Sequence, residues 1–252
     1  MRTLATVAAA AASALAVSTA SAWPPPVRFD NTGMLRIEAA SFEARVAPEL
    51  LDDPERLGQV VATLRRDLAH VGSLVPGPAL ATLRERVVFW IEAQGATVPG
   101  GMSGRGMVFH PSAFWLRANG LDPSRAGGIE IVRAADYLAW RTEQPMMVLH
   151  ELAHAWHHAV GTDDEGLAAA FESARDEGRY ERVRRAGHAG LERAYAMNNP
   201  LEYFAELSEA YFGRNDFEPF DRAELASFDP AGLEAVARLW NSPVRPEEPT
   251  AE

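Results

Sequence analysis

Two histidines and a glutamate in one short stretch have the types and spacing of a metal-dependent hydrolase. His150, Glu151 and His154 form the pattern His-Glu-Leu-Ala-His within a run of residues that favour a helix. Residues four apart lie one turn up the same helix face, so both imidazoles can point at one ion. Glu151 projects about 100° around the helix, where its carboxylate can take a proton from a water molecule. The stretch therefore predicts two ligands and the general base of a zinc hydrolase.

His158 continues the same row, four residues after His154. One ion cannot bind all three histidines, because two helical turns separate His150 from His158 by about 12 Å, whereas Zn–N bonds measure about 2.1 Å. Glu151 stands in the motif position of the His150–His154 pair, so we assign that pair as ligands. We interpret His157 and His158 as polar residues near the end of the helix.

The third ligand must be a carboxylate or a histidine further along the chain, because the sequence contains no cysteine. Glu202 and Glu206 lie four apart in an otherwise apolar stretch, so a helix here buries both carboxylates on one face. Buried carboxylates need partners. A metal ion for one and the imidazole N–H of a ligand histidine for the other would supply them. A pair of surface glutamates is the alternative.

The two motifs together resemble the gluzincin metallopeptidases and look most like the catalytic domain of anthrax lethal factor and related secreted bacterial metallopeptidases. His-Glu-Leu-Ala-His is followed some fifty residues later by Tyr195, six further residues and Glu-Tyr-Phe-Ala-Glu. The resemblance implies that Glu202 is the third zinc ligand and that Tyr195 stabilises the oxyanion. It also implies that Glu206 orients a ligand histidine, and that residues 107–240 have a zincin-like fold.

These assignments predict a zinc-dependent metallopeptidase in which Glu151 accepts a proton from the attacking water and passes it to the leaving amine. Tyr203 is the alternative oxyanion residue. A non-catalytic secreted zinc-binding or interaction module of zincin fold is an alternative function, although such a module needs neither Glu151 nor Tyr195. A hydrolase of cell walls or small amides is a second alternative. A strand predicted at 129–132, at the edge of the cleft, favours extended peptides.

Other polar and flexible residues near these motifs are expected to have ordinary roles. Glu209 continues the row of the two glutamates before it and is expected to be solvated. His110 and His188 are expected to be structural, with a place in the cleft as the alternative for each. The glycine-rich segment 100–106 is either a flexible flap over the cleft or a plain loop.

The acidic composition bears on the partners of the protein. The formal net charge is −11 at pH 7, which argues against nucleic acid and anionic membrane surfaces as partners. A protein or peptide substrate is the expected partner, and a monomer is favoured. Disulfides and thiolate ligands are excluded because cysteine is absent.

The N-terminus has the three parts of a secretory signal peptide. Arg2 precedes an apolar run from Leu4 to Val17, and Ala20 and Ala22 form an Ala-x-Ala ending. We expect cleavage after Ala22 and a periplasmic or extracellular location. The apolar run is too short for a permanent membrane span, so no membrane anchor is expected.

Strand-like and helical segments follow one another in two blocks. Cap chemistry at Asp53 and apolar spacing predict a helix to about residue 71, and strands are predicted near 86–92, 107–110 and 128–132. Nearly everything from 145 to 240 has helical character. This order predicts an α+β fold with a small N-terminal mixed sheet and a mainly helical C-terminal half. The expected units are a signal peptide (1–22), an N-terminal helical and extended region (23–85), a zincin-like catalytic domain (86–242) and a disordered tail (243–252).

Overall fold

The structure is a computed structural model that describes residues 33–93 and 106–245. Its strands are β1 (Leu35–Ala39), β2 (Phe42–Val46), β3 (Val88–Ile91), β4 (Val108–Phe109) and β5 (Ile129–Ile131). They form one mixed sheet in the order β1-β2-β3-β5-β4. The two inner pairings, β2 with β3 and β3 with β5, are parallel, and the two outer pairings are antiparallel. One edge of the sheet is therefore the two-residue strand β4.

Helices form most of the remaining described chain, as the α+β prediction expected. They are α1 (Pro54–Gly72), α2 (Gly77–Arg86), α3 (Ala113–Ala118), α4 (Ala134–Trp140), α5 (Met147–Val160), α6 (Glu165–Asp176), α7 (Pro200–Phe212), α8 (Arg222–Phe228) and α9 (Pro230–Leu239). Helices α5 and α7 pack against each other, and β4 lies against α5. These three elements surround the predicted site residues.

Local sequence signals explain where several helices begin and end. The Asp53 carboxylate accepts a hydrogen bond from the backbone of Arg56 at the start of α1, as its cap chemistry predicts. Asn199 caps α7 in the same way by accepting from the N–H groups of Leu201 and Glu202. Helix α5 ends at Gly161, whose φ of 103° lies in a region that side chains disfavour.

The predicted boundary at residue 86 does not divide the described chain. Strand β2 lies before that boundary and pairs with β3, which lies after it. Phe42 of β2 packs edge-on against Phe89 of β3, with ring centroids 5.6 Å apart. One hydrophobic core includes residues of both regions. The described residues accordingly belong to one compact unit.

Three other expectations about secondary structure need correction. Strand β2 was not expected; its buried side chains alternate, but Ala44 at the centre weakens the apolar signal. Strand β5 lies inside the sheet between β3 and β4, so β4, and not the segment 129–132, is the strand at the cleft edge. The chain from 177 to 194 is not helical: Gly178, with φ 64°, follows the end of α6, and isolated bridges at Val183 and Arg185 follow.

The signal peptide, most of the glycine-rich segment 100–106 and most of the predicted tail lie outside the described residues. Within the described part of the chain, no helix combines the length and the apolar character needed to cross a membrane.

Candidate metal centre

Helices α5 and α7 bring His150, His154 and Glu202 together. The Nε2 atoms of the two histidines lie 3.2 Å apart. Oε2 of Glu202 lies 3.1 Å from Nε2 of His150 and 3.2 Å from Nε2 of His154. We call these three residues the metal-centre triad. The i, i+4 spacing on α5 sets the histidine pair, and the Asn199 cap places Glu202 in the first turn of α7.

The three ligand atoms of the triad fit a tetrahedral zinc ion. Zn–N and Zn–O bonds of about 2.0–2.1 Å place the corners of a tetrahedron about 3.3–3.4 Å apart. The observed separations of 3.1 to 3.2 Å match one face of such a tetrahedron. Two imidazoles and one carboxylate are also donors that zinc prefers, and three protein ligands leave a fourth position open.

The pKa shifts of Glu202 and His150 favour an ionised carboxylate beside a protonated imidazole. Burial alone would raise the pKa of the Glu202 carboxyl, but hydrogen bonds with His150 and His154 hold that pKa well below its usual range. Burial alone would lower the pKa of His150, but hydrogen bonds with Glu202 and Glu209 raise it well above its ordinary value. The raised pKa of His150 favours a proton on its imidazole in the metal-free chain, and a metal ion bound by that nitrogen would displace the proton.

The predicted general base Glu151 lies beside the triad and is held by the edge strand. Its Oε2 accepts a hydrogen bond of 2.7 Å from the backbone N–H of Phe109 in β4. Glu151 is 8% exposed, and burial raises the pKa of its carboxyl. A carboxylate with a raised pKa is a stronger proton acceptor, and a single backbone bond leaves its second oxygen available.

The two tyrosines considered for the oxyanion have different surroundings. Tyr195 lies in a short 3₁₀ turn before α7, and its hydroxyl donates a 3.1 Å hydrogen bond to Oε1 of Glu202. Tyr203 is fully buried elsewhere, and its hydroxyl donates to Asp229, as does the hydroxyl of Tyr180. The alternative that placed Tyr203 at the oxyanion is therefore wrong.

The carboxylate that supports His150 is Glu209, not the predicted Glu206. Nδ1 of His150 lies 2.8 Å from Oε1 of Glu209 but 3.8 Å from Oε1 of Glu206, which is too long for a hydrogen bond. Gln144 also donates to Oε1 of Glu209, at 2.9 Å. Glu209 is fully buried, so its expected solvation is also wrong. The sequence did contain a signal for the burial of Glu209. This residue lies seven positions after Glu202 and therefore continues the same stripe along the helix.

The histidines expected to have ordinary roles differ among themselves. His157 is fully buried beside Phe204, and among the described residues neither of its ring nitrogens has a hydrogen-bond partner. It lies in the last turn of α5, as expected, but its burial was not predicted. His158 is exposed, with its ring 5.3 Å from that of Phe109. His188 is partly exposed, and its nearest acidic groups lie at 3.8 to 3.9 Å.

His110 belongs to a second buried group of charged residues. Its Nε2 lies 2.8 Å from Glu130, which also pairs with Arg125 at 3.1 Å. Arg125 pairs in addition with Glu92 at 2.6 Å, and its guanidinium lies 4.9 Å from the ring centre of Trp90. We call His110, Glu130, Arg125 and Glu92 the arginine cluster. His110 does not line the cavity at the triad, in keeping with its expected structural role.

The triad opens into a cavity of about 520 Å³. Its walls include Met107 and Phe109 from the edge strand region and Trp115 from α3. Tyr195, just before α7, and Leu201, in the first turn of α7, also contribute. A cavity of this size with mostly apolar walls and a few converging polar groups can hold several residues of a substrate. The arrangement can therefore bring a substrate to the triad, the base and the tyrosine together.

Comparison with protein-family models, curated proteins and solved structures found no match to this chain. The function is therefore inferred from the chemistry of the site. That chemistry consists of three ligand atoms on one face of a tetrahedron, a buried carboxylate beside them and a phenol hydroxyl at the same cavity.

Proposed function

We propose that this protein is a zinc-dependent metallopeptidase of the gluzincin type, with a zincin-like fold, and that it acts in the periplasm or outside the cell. The observation that carries the proposal is the convergence of His150, His154 and Glu202 with separations of 3.1 to 3.2 Å. The residues that would hold the ion are those three. When bound, zinc would supply Lewis acidity and lower the pKa of water.

The residues around the triad have complementary roles in this proposal. Glu151 accepts a proton from the attacking water and delivers it to the leaving amine. The Phe109 N–H fixes the orientation of that carboxylate. The Tyr195 hydroxyl, which donates to Glu202 in this state, is the donor available to the developing oxyanion. Glu209 fixes the orientation of His150 through Nδ1.

The edge strand supports a peptide as the substrate. The backbone groups of His110 and Gly106 form hydrogen bonds on the side of the strand that faces β5. Because backbone groups alternate along an antiparallel strand, Phe109 presents its N–H to the opposite side, where Glu151 accepts it. A strand at the edge of the sheet and beside the reacting groups favours an extended chain, which can add to the sheet.

The intact base argues against the alternative of a non-catalytic zinc-binding module. A site that only binds metal does not require a buried carboxylate beside the ligands, yet Glu151 is buried there and held by a backbone bond. Burying a carboxylate costs free energy, and a site that only binds metal gains nothing in return for that cost.

The test is the pair of variants Glu151→Gln and Glu165→Gln, with zinc measured by plasma mass spectrometry and cleavage by a peptide library. Glu165 lies in the first turn of α6, outside the site, and serves as the matched control. We expect Glu151→Gln to keep one zinc per chain and to lose about 10²- to 10⁴-fold in turnover. Near-wild-type turnover in this variant would show that the base is wrongly assigned. A wild-type protein that binds zinc and cleaves nothing would overturn the proposed activity.

A further inference from the structure

The cleft does not end at the metal centre. A second hollow of about 520 Å³ lies beside the first. Phe109, Pro111 and His158 line both hollows. The rings of Phe109 and His158 lie 5.3 Å apart at this junction, so the two side chains divide one continuous groove into two compartments.

The second hollow has an apolar floor beneath a rim whose polar atoms supply more than half of its accessible surface. Its buried lining comes from two helices and the edge strand: Leu83, Val87, Ala155, Ala159 and Phe109. The two alanines are one turn apart on α5, and their small side chains give the hollow its depth. Thr82, Glu85, Arg86 and His158 form a more polar and accessible rim. An apolar floor under a polar rim is the form of a pocket that binds an apolar side chain while the backbone stays near the rim.

The position of the hollow relates it to the substrate. Ala159 lies five residues beyond His154 on α5, which corresponds to about 7.5 Å along the helix axis. An extended peptide rises about 3.3 Å per residue. A peptide that passes the triad and follows α5 past His158 therefore reaches the hollow about two or three residues from the bond to be cleaved.

We propose that this hollow is a specificity subsite that binds a large apolar side chain, aliphatic or aromatic, about two or three residues from the scissile bond. The proposal rests on the proposed peptidase function. It requires the substrate to be extended between the cleaved bond and the hollow. It also gives α2 a role: Leu83 and the residues around it, from the N-terminal part of the chain, form one wall of the substrate groove.

The subsite is tested by filling the hollow from either wall. Ala159→Leu extends a side chain from the α5 wall and Thr82→Phe from the α2 wall; Ala168→Leu on the exposed face of α6 is the matched control. The readout is the ratio of kcat/KM for zinc-loaded protein on peptides that carry Phe or Ala at each position around the cleaved bond. We expect wild type to prefer Phe by about 10- to 100-fold at one position two or three residues away. Both filling variants should lose most of that preference while still cleaving the Ala peptide.

Binding separates the failure of this subsite from the failure of the proposed activity. The same Phe and Ala peptides are titrated by fluorescence anisotropy against the zinc-loaded Glu151→Gln protein, with and without Ala159→Leu. The subsite predicts tighter binding of the Phe peptide and loss of that advantage in the double variant. Equal affinity for both peptides, or a Phe preference that survives both filling substitutions, would overturn the subsite whether or not the protein cleaves peptides. The absence of all cleavage together with a Phe advantage in binding would overturn the activity and keep the subsite.

Discussion

The metal-centre triad and the arginine cluster are both buried groups of histidine and carboxylate, and they differ in how their charges are balanced. In the arginine cluster a permanent cation, Arg125, lies between two carboxylates. Among the described residues, the ion pairs and hydrogen bonds of His150, His154 and Glu202 involve no arginine. The arginine cluster therefore contains a permanent cation, whereas the described contacts of the triad include none.

The pKa shifts show burial opposed by charged partners in both groups. Burial would raise the pKa of Glu130, but His110 and Arg125 lower it, so this carboxylate is ionised and matched. Glu209, behind the triad, has a pKa raised by burial that His150 only partly offsets. Because Glu92 in the arginine cluster and Glu209 behind the triad both keep a raised pKa, the fixed cation and the cavity at the triad, and not the pKa values, separate the two groups.

The largest expected effect that tests this comparison is at the triad. Glu202→Ala removes one of the three converging ligand atoms, so we expect zinc affinity to fall by more than about 100-fold, the upper bound for the loss of a supporting partner. Competition with a zinc chelator measures the affinity. Glu130→Ala is the matched control from the arginine cluster, and a comparable loss of zinc in that variant would contradict the division.

The next effect is on stability. Glu130→Gln leaves Arg125 buried with one carboxylate fewer, so we expect the free energy of unfolding to fall by about 3 kcal/mol. Urea denaturation at pH 7 measures it, and zinc stoichiometry should stay at one. Unchanged stability, or loss of zinc, would show that the arginine cluster is not a purely structural support.

A smaller effect separates Glu209 from Glu206 behind the triad. Glu209→Gln weakens the charged acceptor of the His150 Nδ1–H, so we expect about a tenfold loss in zinc affinity. Glu206→Gln, at 3.8 Å from the same nitrogen, should cost less. The opposite ranking, measured with the same chelator competition, would return the supporting role to Glu206.

The smallest effect concerns a balanced pair at the surface. Asp164 caps α6 and pairs with both terminal nitrogens of Arg238 at 2.7 Å; these hydrogen bonds lower the pKa of Asp164 to about 2. Because the folded-state pKa lies below the ordinary value of 3.8, the pair stabilises the protein above about pH 4, and its contribution is lost as the pH falls toward 2.

Asp164→Asn keeps the cap and removes the charge, so we expect a loss of about 0.5 kcal/mol in unfolding free energy at pH 7. Urea denaturation at pH 7 and pH 2 should show the difference from wild type shrink at the lower pH. Zinc binding should not change; a coupled loss of zinc would mean that the balanced surface pair supports the metal site.

The sequence by itself determined the parts of this protein that depend on local spacing. The His150–Glu151–His154 phase follows from helical periodicity, whereas the roles expected of Tyr195 and Glu202 came from the resemblance of their motif to a known family. The cap residue Asp53 likewise located the start of α1, because a side chain that accepts from the first backbone N–H groups acts within a few residues.

Only the tertiary structure decided the features that depend on distant packing. The choice of Glu209 over Glu206 depends on how α7 rotates against α5, and a difference of one turn changes which carboxylate meets Nδ1 of His150. The edge position of β4, and with it the hydrogen bond from Phe109 to Glu151, depends on strand order, which short strands do not encode locally. The groove that joins α2 to the metal centre was likewise invisible, because its walls lie far apart in sequence and meet only in the folded core.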